Sequence, residues 1–215
     1  MNHEIYVFGS LCRGESSPTS DVDILALPFT DDRSNFPINW SVYDPKIISE
    51  YFSQGRLFAW HLHLEAKCIF STRDIPFLDA LGAPAPYATM NKDIDDLEEL
   101  LQEALYELKN GTKSVIYELG IVYTAIRDIA MSASWAFMEN PCFSSDAPYR
   151  LPIPCPLDYS VYKAAMLARH SSTRGIEIEI DINSVVYKVT RAPLSPWIKS
   201  LRGENDKYIS QQSYG

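Results

Sequence analysis

The sequence predicts an α+β protein: an α/β unit with a mixed sheet over residues 1–88, then a mainly helical bundle over residues 89–215. Three observations predict it. Short β-type runs alternate with helical stretches in the first part of the chain. Residues 75–90 hold Pro76, Gly82, Pro84 and Pro86 and read as a linker between the two parts. Beyond Asn91 the apolar period changes to that of a helix. A length of 215 residues suits one large domain or two small ones.

In chain order, Glu4–Phe8 is a β run ending at Gly9, and Asp21–Leu27 is a second run that Pro28 closes. Ile38–Tyr43 reads as a third strand, with a helix over Pro45–Phe52. The stretch Phe58–Ser71 is open between two readings. His61, His63 and Glu65 alternate with leucines as in a strand, and a helix running into a strand at Lys67–Phe70 fits as well. In the second part, Asn91 suits an N-cap, Asp93, Asp95 and Asp96 suit a helix start, and Ile94, Leu97, Leu100, Leu101, Ala104, Leu105 and Leu108 repeat at helical spacing up to Gly111. A second helix spans Thr112–Met138, the Pro-rich stretch Asn140–Pro156 is a long loop, and a third helix spans Tyr159–His170. Ile176, Ile178, Ile180 and Ile182 alternate with acidic residues and predict a strand, with a helix from Asn183 after it. Gly203–Gly215 is polar and reads as a frayed tail.

Composition narrows the function. The net charge of −9 lacks the footprint of a general nucleic-acid binder but leaves room for a phosphate site in which carboxylates hold a cation. No apolar run reaches the roughly 18 residues of a membrane span, and MNHEIYVFGS has neither a basic n-region nor an A-x-A site. The four cysteines form no C-x-x-C pair. A cytoplasmic protein with reduced thiols is the expectation.

The stretch Phe8–Leu27, FGSLCRGESSPTSDVDILAL, carries the chemistry. Asp21 and Asp23 are two apart on a β run, so their carboxylates face one side. Neighbouring carboxylates repel unless a cation lies between them, and hard oxygen ligands select Mg²⁺ or Mn²⁺. Gly9 allows close backbone approach to a phosphate. Ser10 offers a hydroxyl and an N–H at the start of a following helix, where anions bind. Ser20 is placed to orient the first carboxylate.

The Gly9-Ser10 turn, the intervening Arg13 and Gly14, and Asp21-x-Asp23 on the next strand resemble the DNA polymerase β-like nucleotidyltransferase superfamily, in its minimal and small-molecule branches. The resemblance implies a nucleoside triphosphate as substrate, held by Gly9, Ser10, Arg13 and Ser20, and catalytic Asp21 and Asp23 around Mg²⁺. It implies a nucleoside monophosphate passed to a hydroxyl of a small molecule or protein, with pyrophosphate leaving. The family pattern has a third carboxylate on the next core strand. Here Asn39, Trp40 and Ser41 occupy that stretch, so Asp44 is assigned as the third metal ligand, with Glu65 as the other choice.

Residues 89–215 resemble the helical domain of kanamycin nucleotidyltransferase-type enzymes and HEPN-type bundles, through Ser114–Arg127. That resemblance implies Glu118 as general base. The Arg-x4-His signature of HEPN ribonucleases is absent: Ser132 follows Arg127 at five residues, and Ala165 precedes His170 at five. A homodimer is a further partner expectation. The rival expectation is a non-catalytic nucleotide-binding or antitoxin-like partner of a HEPN-type toxin.

Overall fold

A computed structural model describes residues 2–15, 22–30 and 36–202. The chain divides into two compact units, Met1–Thr89 and Met90–Gly215. The class is α+β, with a mixed sheet in the first unit and helices in the second.

The first unit is built on four strands: β1 (His3–Phe8), β2 (Asp23–Pro28), β3 (Ser41–Val42) and β4 (Lys67–Phe70). Their order across the sheet is β3-β2-β1-β4. β1 lies antiparallel to both β2 and β4, and β2 runs parallel to β3. A parallel neighbour needs a crossover of about a dozen residues, and the spacing between the end of β2 and the start of β3 leaves room for one. Alternate residues of β1 are buried, so Tyr6 and Phe8 join Leu25 and Leu27 of β2 in one core. Helices α1 (Pro45–Ser53) and α2 (Leu57–Glu65) close that core with Ile48, Phe52, Ala59 and Leu62. Of the two readings of Phe58–Ser71, the helix that runs into a strand at Lys67–Phe70 is the one formed.

The third strand is shorter than expected. The Trp40 N–H donates to the Pro37 carbonyl at 3.0 Å, which turns the chain, and only Ser41 and Val42 pair. Residues 75–89 are not a free linker either. They form a short helix, α3 (Phe77–Leu81), and a strap that ends against the α1–α2 corner. The Ala85 N–H donates to the Phe52 carbonyl at 2.9 Å, and Trp60 Nε1 donates to the Ala85 carbonyl at 2.9 Å. Gly55, at φ +63°, passes beneath: a methyl group there would lie 2.3 Å from the Ala85 oxygen. The prolines that suggested a linker suit this extended strap, because extended backbone needs no ladder N–H.

A buried carboxylate anchors the start of the strap. Glu4 is fully buried. It accepts from Ser71 Oγ at 2.8 Å, from the Phe77 N–H at 2.7 Å and from the Tyr6 hydroxyl. The Tyr6 hydroxyl in turn accepts from the Leu78 N–H at 3.1 Å. β1, the end of β4 and the first turn of α3 therefore meet at one acid.

The second unit packs α5 (Val115–Phe137) between α4 (Met90–Lys109) and α7 (Tyr159–Arg174). Asn91 lies within α4 rather than capping it, since the helix begins at Met90. Gly120 lets α5 approach α7 closely: a methyl group there would be 3.0 Å from the Arg169 Cα. The Pro-rich segment holds a four-residue helix, α6 (Ala147–Arg150), and is anchored by the Tyr149 hydroxyl, which donates to the Leu157 carbonyl at 2.8 Å. α7 ends on Gly175 in the left-handed region. The strand predicted over Ile176–Ile182 does not form. Those residues pair with no strand among the described residues, Ile176 stays 40 % exposed, and α8 (Ile182–Val189) starts from an Asp181 cap. The final described helix, α9, spans residues 194–202. Arg202 ties it to α4 through Asp95 at 2.7 Å and Glu98 at 2.6 Å. The tail read as frayed lies outside the described residues.

Candidate active site

The hairpin of β1 and β2 places its chemistry at the end where β1 gives way to a turn. Phe8 pairs with Asp23, the last pair of the antiparallel ladder. Gly9 follows Phe8 with φ +76°, a conformation that favours glycine. A methyl group on Gly9 would lie 2.3 Å from Asp23 Oδ2. The carboxylate thus rests against bare backbone, and a side chain is excluded by both backbone strain and contact. Asp23 itself is exposed.

The turn after Gly9 is a 3-10 turn of three residues, Gly9–Leu11, and not the helix start read from the sequence. Ser10 therefore lies at no α-helix N-terminus. Its hydroxyl and backbone N–H remain beside Gly9. The Gly9 carbonyl accepts from Cys12 at 3.0 Å and Arg13 at 3.3 Å, and the Ser10 carbonyl accepts from Glu15 at 2.9 Å. These bonds curl the turn and deliver Arg13. Its Nε donates to Glu15 Oε2 at 2.8 Å, and its Nη1 donates to Glu65 Oε2 at 2.5 Å. Burial pushes the Cys12 thiol up, and Lys67, Glu65, Arg13 and Asp23 all act on it, so charge of both signs gathers around this turn.

The structure puts the two candidate third carboxylates to other uses. Asp44 is the N-cap of α1, accepting from the Lys46 N–H at 2.8 Å. Glu65, the last residue of α2, holds Arg13 and also meets His61 Nε2 at 2.9 Å. Leu25 pairs with Ser41 in the parallel ladder, so the position level with Asp23 falls at Asn39, in the turn before β3. Among the described residues no group of three His, Cys, Asp or Glu side chains gathers to hold a metal ion. Asp21 and Ser20 lie outside the described residues.

Glu118 lies in the first turn of α5, in the second unit. It lines a cleft of about 780 Å³ with Glu103, Tyr106, Glu107 and Tyr117. Burial, and then the nearby Glu107, raise its carboxyl above the ordinary glutamate range. A carboxyl raised on folding contributes stability below its unfolded pKa and loses it as pH rises through the folded value. Glu118→Gln should therefore raise the melting temperature at pH 7 relative to the parent, with the gap closing below about pH 4. A thermal melt series across that range checks it, and a gap unchanged by pH would contradict it. Arg127, on the same helix, is held by Asp128 at 2.7 Å and lies 5.5 Å from the Tyr123 ring centroid.

Sequence reasoning missed the role of Glu65 and His61. The signal was their spacing of four, which places both on one face of a helix, but the alternation His61, His63, Glu65 pointed equally to a strand.

A family model described as a nucleotidyltransferase domain matches residues 2–34. The matched stretch holds β1, the Gly9 turn and β2. The chain is thus similar to nucleotidyltransferase domains over its first hairpin, which supports nucleotidyl transfer as the general activity of that unit. No curated protein matches the chain. No helix among the described residues is long and apolar enough to cross a membrane, and all four cysteines are free thiols.

Proposed function

We infer that the protein transfers a nucleoside monophosphate from a nucleoside triphosphate to a hydroxyl of a small molecule or protein, releasing pyrophosphate, in the cytoplasm. The observation that carries this reading is the seat of the Asp23 carboxylate on Gly9, in the hairpin matched by the nucleotidyltransferase domain model. The donor set suits a hard divalent cation: oxygen ligands only, with an exposed carboxylate beside backbone that has no side chain to block it. Asp23 and Asp21 would hold Mg²⁺ or Mn²⁺, without Asp44, which the parallel register sets level with Pro28 at the far end of β2. When bound, such a cation supplies charge neutralisation for the triphosphate and polarises its phosphorus–oxygen bonds.

The chain's own groups do the rest. Gly9 gives the phosphates access to backbone. The Ser10 and Ser20 hydroxyls donate to phosphate oxygens or orient the carboxylates. Arg13 brings a planar, permanently charged donor. Glu118 accepts the proton of the acceptor hydroxyl, a role that suits a carboxyl whose pKa is raised toward neutrality. The helical unit serves as a HEPN-like acceptor domain in this reading.

Asp23→Asn tests it. The variant should bind Mg²⁺ with a nonhydrolysable triphosphate at least about tenfold more weakly, since it loses a charged ligand. Its melting temperature should be unchanged or slightly raised, because like-charge repulsion with Asp21 is relieved. Calorimetric titration reads the first and a thermal melt the second. Unaltered triphosphate binding in Asp23→Asn would overturn the reading.

One observation favours a second reading. With Glu65 engaged by Arg13 and Asn39 level with Asp23, a full set of three free carboxylates is not assembled among the described residues. A nucleotide-binding partner protein without turnover, of the antitoxin type, fits that deficit. It predicts triphosphate binding with no pyrophosphate release, and tight association with a second chain.

A further inference from the structure

The geometry points to Glu65 and His61 as a positioning pair that holds the Arg13 guanidinium ready for the phosphates of a nucleoside triphosphate at the Gly9–Asp23 site. This rests on the nucleotidyl-transfer reading and adds to it the device that presents the turn's cation.

Glu65 Oε2 takes two donors at once, Arg13 Nη1 at 2.5 Å and His61 Nε2 at 2.9 Å. Both carboxylate and guanidinium are largely sheltered, at 12 % and 19 % side-chain exposure. The pair is itself locked. His61 and Glu65 are one helical turn apart on α2, and the edge of the His61 ring meets Phe8 with centroids 5.4 Å apart. Phe8 is a core residue and immediately precedes Gly9. The line of contact therefore runs from the core, through His61 and Glu65, to Arg13, and it starts on the strand that presents Gly9.

The clamp uses Arg13 in a way that leaves it functional. Guanidinium carries five N–H donors. Glu15 takes Nε and Glu65 takes one hydrogen of Nη1, so the remaining donors can reach a phosphate in the same plane. Within the turn Gly9–Glu15, Arg13 is the one Lys or Arg. A triphosphate brought next to Asp21 and Asp23 meets two carboxylates, and a pre-ordered cation offsets part of that repulsion. Immobilising a free arginine costs rotamer entropy. The clamp meets that cost on folding, so it is not charged against binding. A plain structural ion pair would be served as well by a lysine, whereas this planar, doubly anchored arrangement needs the arginine fork.

The test is a double-substitution cycle in the full chain, read by calorimetric titration with Mg²⁺ and α,β-methylene ATP. Arg13→Ala should weaken binding about tenfold, the scale of one charge-assisted hydrogen bond. Glu65→Gln should recover a large part of that loss pattern, weakening binding about three- to tenfold. Combined, the two should be no weaker than Arg13→Ala alone, because Glu65 acts through Arg13. The Arg13 Nε–Hε resonance, sharp and protected in the parent, should broaden in Glu65→Gln before any nucleotide is added. If Glu65→Gln unfolds the protein, His61→Gln supplies the same readouts with a smaller expected effect. Parent-like binding in a folded Glu65 or His61 variant overturns the positioning role, and so does a Glu65 effect that persists in full without Arg13. If the parent binds no triphosphate, the nucleotidyl-transfer reading falls and takes this one with it, a result distinct from either of those.

Discussion

Gly9→Ala should abolish triphosphate binding and activity, by a hundredfold or more, the scale on which losing one preorganised charge-bearing group acts. Two independent costs meet at this position. The backbone sits at φ +76°, where an L-residue costs roughly 1–2 kcal/mol. The added methyl would be 2.3 Å from Asp23 Oδ2, inside any permitted contact, so the carboxylate must swing away or β1 and β2 must part. Either response moves the group that the site is built around. Gly14→Ala is the matched control. Gly14 has φ +70° with nothing among the described residues within 4 Å of an added methyl, so it bears the backbone cost without that collision. Both variants should lose a similar roughly 1–2 kcal/mol to strain, while only Gly9→Ala loses the ligand. Calorimetric titration with Mg²⁺ and a nonhydrolysable triphosphate, beside urea melts, separates the two effects. Equal binding in the two variants would show that Asp23 does not depend on the Gly9 seat.

Glu4→Ala should be the most destabilising single change in the first unit, at about 3–5 kcal/mol, the range for removing one side of a buried charged network. The side chain is fully buried and satisfies Ser71 Oγ, the Phe77 N–H and the Tyr6 hydroxyl. Truncation leaves those donors without an acceptor and opens a void, and each orphaned donor costs about 1–3 kcal/mol. Water entering the void returns part of that. Glu4→Gln keeps the shape and one acceptor oxygen but turns an amide N–H₂ toward one of the donors, so its loss should be smaller, about 1–3 kcal/mol. The damage should be local first. The Phe77 and Leu78 amides donate to Glu4 and Tyr6, so their hydrogen exchange should accelerate in Glu4→Ala more than that of Leu25 or Leu27 in β2. A urea midpoint within about 0.5 kcal/mol of the parent, the range of a neutral surface change, would mean that the acid is not what holds α3 to β1.

Much of the site was legible because it is local. Gly9-Ser10 after an apolar run and Asp23 at the head of another lie within one hairpin, and the antiparallel pairing of such runs brings Phe8 opposite Asp23. The helix starting near Asn91 was legible for a similar reason, since its apolar repeat needs only its own turn to be visible. The isoleucine alternation at 176–182 misled because alternation predicts a strand only where a neighbouring strand supplies the ladder. No such neighbour is present among the described residues, and the segment from the Gly175 cap to the Asp181 cap stays exposed apart from the half-buried Ile178 and Ile180.

The class of the fold, the β1–turn–β2 hairpin and the kind of chemistry its carboxylates suit were legible from the residues alone. Each of these follows from side-chain type and spacing over a few residues. Contacts between distant segments set what the other carboxylates do. Asp44 became a helix cap because Pro45 starts α1 beside it, and Glu65 became the holder of Arg13 because α2 ends against the Gly9 turn, 52 positions away in the chain. The acidic residue at position 4 became a buried anchor only because β4 and α3 bring Ser71 and Phe77 to it. A carboxylate's role is set by the donors that surround it, and donors distant in sequence are assigned only when the chain has folded.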